Sequence, residues 1–191
     1  MSSPEMTTGW SDGVLPMNVR LGLGSRIAGP DAFKRFFSKC EVGLSLGNRT
    51  LADGARFGVG EAGRIVVGED CYLDDCILLA EQEIRIGRHV IIGWNTTVSD
   101  SDFHPVAPAE RVLDAIALSP AGGGIPRPKI LCRPVVIGDD VYIGPACTIL
   151  KGVEIGSGAY IEPGSVVTRN IPAMAHVRGN PATWTPAEAG E

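Results

Sequence analysis

The fold class this sequence predicts is all-β, a parallel β-helix of hexapeptide repeats, and three observations predict it. Ile137, Ile143, Ile149, Ile155, Ile161 and Val167 stand six residues apart without interruption. An α-helix repeats its apolar face about every 3.6 residues and a strand every two, so a period of six means a short extended stretch plus a turn, repeated. Glycine follows three of these residues, at Gly138, Gly144 and Gly156, as a sharp turn between flat faces that needs φ > 0 would require. The residue four further on is small or branched throughout (Val141, Cys147, Val153, Ala159, Ser165, Ile171), as a narrow interior corner demands. Three hexads would close one triangular coil, and stacked coils would share one core, since a single coil cannot bury its own face.

The elements follow in chain order. Residues 1–40 have weak periodicity and are expected to form an irregular lid, with a short helical turn over Asp31–Ser38 that Asp31 could cap. The β-helix is expected over 41–182. Its first run opens with a blurred register around Leu46, Leu51 and Phe57. It continues with Val67, Leu73 and Leu79, takes a seven-residue step around Glu83, and resumes at Ile86, Ile92 and Val98. The fifth positions Cys71, Ile77, Val90 and Thr96 fit, whereas Asp102 does not. Residues 106–134 lack the beat and hold Gly122, Gly123, Gly124, Pro126 and Pro128, so they are expected to leave the coil as an extruded loop of the functional kind. The second run then occupies 135–172, and 183–191 are expected to be a mobile tail.

At 191 residues the chain is long enough for one domain with a sizeable core, and 44% hydrophobic residues argue for packing despite 25 glycines and 14 prolines. A net charge of −5 offers no basic stripe for nucleic acid. Cys40, Cys71, Cys76, Cys132 and Cys147 form no CxxC and read as free thiols, two of them at small inward positions. No stretch approaches the roughly 18 apolar residues of a membrane span, and MSSPEMTTGWSDG lacks the design of a secretory leader, so a cytoplasmic location is expected.

The chemistry is expected where the beat fails, at Ser99-Asp100-Ser101-Asp102-Phe103-His104-Pro105. Imidazole is the side chain poised for proton transfer near neutrality. Of the three histidines, His89 reads as an outward surface residue and His176 as a tail residue, which leaves His104, at the end of a coil beside the loop, as candidate general base. Asp102 and Glu110 are candidates to orient its ring, and a backbone carbonyl would serve equally.

The stretch IGDDVYIGPACTILKGVEIGSGAYIEPGSVVTRNIPAMAHVRGNPA resembles the C-terminal signature of hexapeptide-repeat acyltransferases, and SDSDFHP resembles their catalytic histidine segment. Within that family the likeness is to galactoside, maltose and nodulation-type O-acetyltransferases, over about residues 65–182. The resemblance implies a left-handed coil, against the usual right-handed crossover, a homotrimer with sites between subunits, and acetyl-CoA or another acyl-CoA as donor with no metal. It implies transfer to a hydroxyl of a sugar or similar small acceptor, with His104 as base. The donor contacts it implies are Gly144, Pro145, Pro163, Ser165, Thr168, Arg169 and Arg178. Tyr142 stands in place of a tryptophan, and Thr183 follows Gly-Asn-Pro-Ala where a cation is usual. Where the galactoside-type enzymes carry an asparagine this chain reads Leu73-Asp74-Asp75-Cys76, so Asp75, with Glu81 and Asp102, becomes a candidate acceptor contact. Three rivals remain: an N-acetyltransferase acting on an amino sugar, a non-catalytic β-helix scaffold, and a zinc hydratase of the γ-carbonic anhydrase type, whose three convergent histidines the spacing of His89, His104 and His176 does not supply.

Overall fold

The structure, a computed structural model, describes residues 9–10 and 13–185. The chain winds as a left-handed parallel β-helix whose three faces are parallel sheets. The first face stacks β1 (Gly9–Trp10), β3 (Arg26–Ala28), β5 (Leu51–Asp53), β8 (Tyr72–Asp74), β11 (Ile91–Ile92), β14 (Tyr142–Ile143), β17 (Tyr160–Ile161) and β19 (His176–Gly179), and ends in β20 (Ala182–Thr185), antiparallel to β19. The second stacks β2 (Val19–Leu21), β4 (Leu44–Leu46), β7 (Arg64–Val67), β10 (Glu83–Ile86), β13 (Val135–Ile137) and β16 (Glu154–Ile155). The third stacks β6 (Arg56–Val59), β9 (Ile77–Ala80), β12 (Thr97–Ser99), β15 (Thr148–Ile149) and β18 (Val166–Val167). No helix among the described residues is long and apolar enough to cross a membrane.

Every member of the series Ile137 to Val167 is buried, as are all six small-corner residues from Val141 to Ile171. The glycines have a different cause from the one expected. Gly144 does not have a positive φ; a Cβ on it would stand 2.7 Å from the Pro163 nitrogen of the next coil, so it is the close approach of backbones that excludes a side chain. The left-handed residues lie two positions later and also repeat every six: Asp140, Ala146, Gly152, Gly158 and Gly164, with φ between 56° and 75°.

The first run departs from the expected register. Leu78, not Leu79, is inside, paired with Val98, and Cys76 rather than Ile77 fills the corner. The turn at Asp75, with φ of 35°, tightens the corner before β9, and the next corner is correspondingly longer. Leu51 points outward and Ala52 inward, which explains the blurred opening: an alanine carries the core position there. Burial pushes the Cys76 thiol up to about 12, which removes it from thiolate chemistry, and all five cysteines are free.

The described part of the expected lid, residues 9–10 and 13–40, continues the coil. β2 and β3 pair in register with β4 and β5, and Phe36 bridges Val59 at the edge of the third face, so this segment forms coil of its own. The segment from Asp31 is a chain of turns rather than a helix; Phe33 packs on Phe36 and Phe57, at centroid distances of 5.4 and 6.0 Å. The weak periodicity of 13–40 reflects these turns inserted between short strands. Of the expected tail, residues 183–185 belong to β20, and 186–191 lie outside the described residues.

Candidate functional site

The break in the beat has a physical centre, Asp100. Its side chain is buried, and its carboxylate accepts the backbone N–H groups of Glu81, Gln82 and Glu83 at 2.8, 2.7 and 2.6 Å. The long corner between β9 and β10 therefore closes on a carboxylate from the coil above. Burial pushes the Asp100 carboxyl up from its ordinary range, and the three donors work against that shift. A misfit to the hexad pattern is thus what holds the irregular corner.

The extruded segment leaves and returns side by side. Ser101 bridges Cys132, Asp102 N–H donates to Leu131 O, and Arg133 N–H donates to Asp100 O. Between these stems runs a helix that the missing beat did not predict, α1 (Pro108–Leu118), with proline in its first turn, where no intrahelical donor is lost. Its residues Val112, Leu113, Ile116 and Leu118 are exposed, and the helix residue it buries is Asp114.

Asp114 holds the ring of His104. Its Oδ2 lies 2.6 Å from His104 Nδ1, and Arg127 Nε donates to Oδ1 at 2.7 Å while Arg127 Nη2 reaches Oδ2 at 3.2 Å and Phe103 O at 2.9 Å. The Asp114 side chain is 2% exposed and that of His104 is 58% exposed. The Arg127 guanidinium first, and then His104, hold the Asp114 carboxyl down at about 2, so it is ionised across the neutral range. A carboxylate at Nδ1 favours the tautomer with its proton there, leaving the Nε2 lone pair as the free acceptor. Neither Asp102 nor Glu110 has this role. Glu110 is exposed on the first turn of α1, and Asp102 Oδ1 takes Lys151 Nζ at 2.5 Å, tying the stem to the second run; only its backbone carbonyl meets His104, accepting the N–H at 2.7 Å.

The other candidates divide between two corners of the coil. Glu81 belongs with His104 at the corner between the third and second faces; burial and Asp100 push its carboxyl up, while Arg127 pulls it down. Thr168 and Arg169 are exposed at this same corner, after β18, with the Lys151 coil between them and the Asp102 stem. At roughly 4.8 Å per coil that places Arg169 about 10 Å along the axis. Gly144, Pro145 and Pro163 gather instead at the corner between the first and third faces. Arg178 stands beside them on β19, in a cleft of about 320 Å³ with Glu162, His176 and Trp184. Among the described residues neither Arg169 nor Arg178 forms an ion pair. Two candidates have other side-chain partners within the chain. Ser165 is fully buried and its hydroxyl donates to Glu162 O at 2.7 Å, so its side chain serves the interior. Asp75 lies across the third face from His104, with its carboxylate 3.7 Å from Arg56. The three imidazoles do not converge: His89 sits 2.8 Å from Asp140, and His176 sits 2.8 Å from Glu162.

Asp114, Arg127, Lys151 and Asp100 were missed by sequence reasoning. A signal for Asp114 exists in Val112-Leu113-Asp114-Ala115-Ile116, a lone acid among apolar residues; Arg127 and Lys151 carry none, because their partners are 13 and 49 residues away.

Comparison with known proteins agrees with the coil. Residues 134–169 match the family model for the bacterial transferase hexapeptide (six repeats). YvoF of Bacillus subtilis (strain 168), which carries a provisional acetyltransferase name, is 31% identical over 104 residues, 54% of this chain and 48% of that protein. The chain thus spans about half the length of this curated relative. The hexapeptide-repeat acetyltransferase VCA0836 of Vibrio cholerae superposes with a TM-score of 0.52 at 28% identity, over 64% of this chain and 62% of that one, and it has also been solved with acetyl coenzyme A. A variant of AntD, an N-acyltransferase of Bacillus cereus solved with dTDP and coenzyme A, shares the fold at a TM-score of 0.65 and 17% identity, over 88% of this chain and 83% of that one. The six-residue repeat, the left-handed coil and the match over 134–169 make the chain a hexapeptide-repeat β-helix, similar to acetyltransferases built on that repeat.

Proposed function

We propose that the protein is an acyltransferase that moves an acetyl group from acetyl-CoA to a hydroxyl of a sugar or similar small acceptor. The observation that carries this reading is an exposed imidazole whose Nδ1 is held at 2.6 Å by a buried, ionised carboxylate. His104 Nε2 takes the acceptor hydroxyl proton as that oxygen attacks the thioester carbonyl. The tetrahedral intermediate collapses to the acetyl ester and CoA thiolate, and the imidazolium returns its proton to the sulfur. No acyl-enzyme is needed. Asp114 stabilises the imidazolium that forms, and Arg127 keeps Asp114 ionised and in place.

The residues present suit a CoA donor. Gly144, Pro145 and Pro163 offer a narrow backbone corner to the pantetheine, and Arg169 and Arg178 are exposed cations that form no ion pair among the described residues and suit phosphate. Replacing either arginine by alanine is expected to raise the KM for acetyl-CoA roughly 3- to 10-fold with kcat little changed, as for partly exposed charge contacts; unchanged KM in both variants would remove them from the donor site.

Within one chain the His104 corner and the Gly144 corner lie apart. We infer a homotrimer in which the first corner of one subunit meets the second of its neighbour. Support comes from α1, whose apolar residues Val112, Leu113 and Ile116 have no cover, and from the exposed column Leu51, Tyr72, Ile91 and Tyr160 on the first face. Sedimentation equilibrium giving a monomer at micromolar concentration would end this inference.

An amine acceptor is the second reading, favoured by Glu81, whose exposed carboxylate near Arg127 could meet an ammonium group. Thiol release from acetyl-CoA with hydroxyl and amino acceptors, comparing wild type with His104→Ala, tests both; absence of turnover with every acceptor would refute the enzyme.

A further inference from the structure

On the outer side of the third face, between the turns that follow Asp31 and the strands β6 and β9, lies a cavity of about 360 Å³ that no step above uses. Its size falls in the range of small-molecule sites. Three cations line it, Lys34, Arg35 and Arg56, against one carboxylate, Asp31. Those charges are poorly neutralised: Lys34 reaches Asp31 at 3.5 Å, Arg56 Nη2 reaches Asp75 at 3.7 Å, and Arg35 forms no ion pair among the described residues. Arg56 Nε is moreover buried without a hydrogen-bond partner. A buried guanidinium donor left unmatched is costly, and an acceptor oxygen supplied by a ligand would satisfy it.

The floor is apolar. Ile77 and Leu79 form it, and Gly58 keeps it open, since a Cβ there would run into Leu79 Cδ2. Along β9 and the corner after it, Ile77, Leu79 and Glu81 face outward while Leu78 and Ala80 face in. Glu81 lies two residues beyond the floor, about 7 Å along an extended chain. It is close enough to Arg127 for the two charges to favour each other, and Arg127 holds the carboxylate that holds His104. The cavity therefore shares the third face with the corner that holds Glu81.

We propose that this cavity is the binding site for the anionic group, phosphoryl or carboxylate, of a sugar-sized ligand, held by Arg35 and Arg56. The apolar floor takes the carbon face of the ring, and the cations select charged over neutral sugars. The site stands independently of the acyltransferase reading; that its ligand is also the acyl acceptor rests on that reading.

Calorimetric binding without acetyl-CoA separates the two. Glucose 1-phosphate, glucuronate and glucose are the probes, against wild type, Arg35→Gln, and Arg35→Gln combined with Arg56→Gln. The expected result is binding of the phosphate or the uronate at least tenfold tighter than glucose, weakened at least tenfold in the double variant and by added salt. Which anion binds tells the phosphoryl source from the carboxylate. Arg35 is exposed, so the single variant keeps the fold and reports even if the double variant does not. Equal binding of all three probes, or anion binding indifferent to Arg35→Gln, overturns the proposal. Arginine-dependent anion binding in a protein that releases no thiol from acetyl-CoA sustains the site and refutes only the acyl transfer.

Discussion

His104→Ala is expected to lower kcat for acetyl transfer by about 10² to 10⁴-fold, the usual contribution of a positioned general base, while the KM for acetyl-CoA stays within about twofold. Loss of the base removes an interaction made in the transition state, so the donor should bind as before. Asp114→Asn tests the relay from the other side. An amide at that position can donate to Nδ1, which would shift the ring proton to Nε2 and take away the lone pair that accepts from the hydroxyl. Its loss should approach that of His104→Ala, with the circular dichroism spectrum and the melting temperature of the coil little changed. Arg127→Ala should lose less, because His104 keeps its carboxylate partner. Continuous thiol detection reads all three, and wild-type turnover in either His104→Ala or Asp114→Asn would remove this histidine from the chemistry.

The pH dependence follows from the sign of the Asp114 shift. Its carboxyl is depressed from 3.8 to about 2 in the folded protein, so the stabilisation it gives the extruded segment is complete above pH 4 and is lost as pH falls toward 2. Hydrogen exchange in α1 should therefore accelerate over that acid window while amides of the second run stay protected. Protection of α1 that is unchanged at pH 2 would separate the segment's docking from Asp114 ionisation.

The largest loss of stability is expected from Asp100→Ala. It leaves the N–H groups of Glu81, Gln82 and Glu83 without their acceptor in a partly buried corner. An unsatisfied buried donor costs about 1–3 kcal/mol, and partial access of water to this corner brings the sum for three to about 3–5 kcal/mol. Urea unfolding followed by circular dichroism measures it. Asp100→Asn, which keeps a carbonyl acceptor, should lose less than half as much. A change below about 1 kcal/mol in the alanine variant would mean the corner closes without this carboxylate. Since Glu81 lies on the same corner, Asp100→Ala should also disturb acceptor binding, which is why stability and KM need to be read together.

Much of the scaffold is legible in the chain itself. A period of six over Ile137 to Val167 admits one geometry, because each hexad sees only its equivalents above and below, so a local pattern repeated identically specifies the long-range contacts. The same logic misplaces Leu79 and Ile77 in the first run: a corner shortened at Asp75 and lengthened at Glu81 leaves the number of residues per coil unhelpful for saying which of two neighbouring leucines turns inward. It also hides the opening coils, where Ala52 takes a core position that an aliphatic beat would not mark. His104 was visible as a histidine where the pattern stops.

Its partners were not. Asp114 sits ten residues on and Arg127 twenty-three, in a segment with no repeat to set its path; they meet because α1 folds back over paired stems and buries an acid that Arg127 neutralises. The sequence alone determined the coil, its stacking period and the place where it breaks, since those depend on interactions between residues a fixed distance apart. Tertiary structure alone decided which carboxylate orients the histidine, which cations form no ion pair among the described residues and what cavity lies beside them, because those depend on charges brought together from parts of the chain whose spacing carries no period.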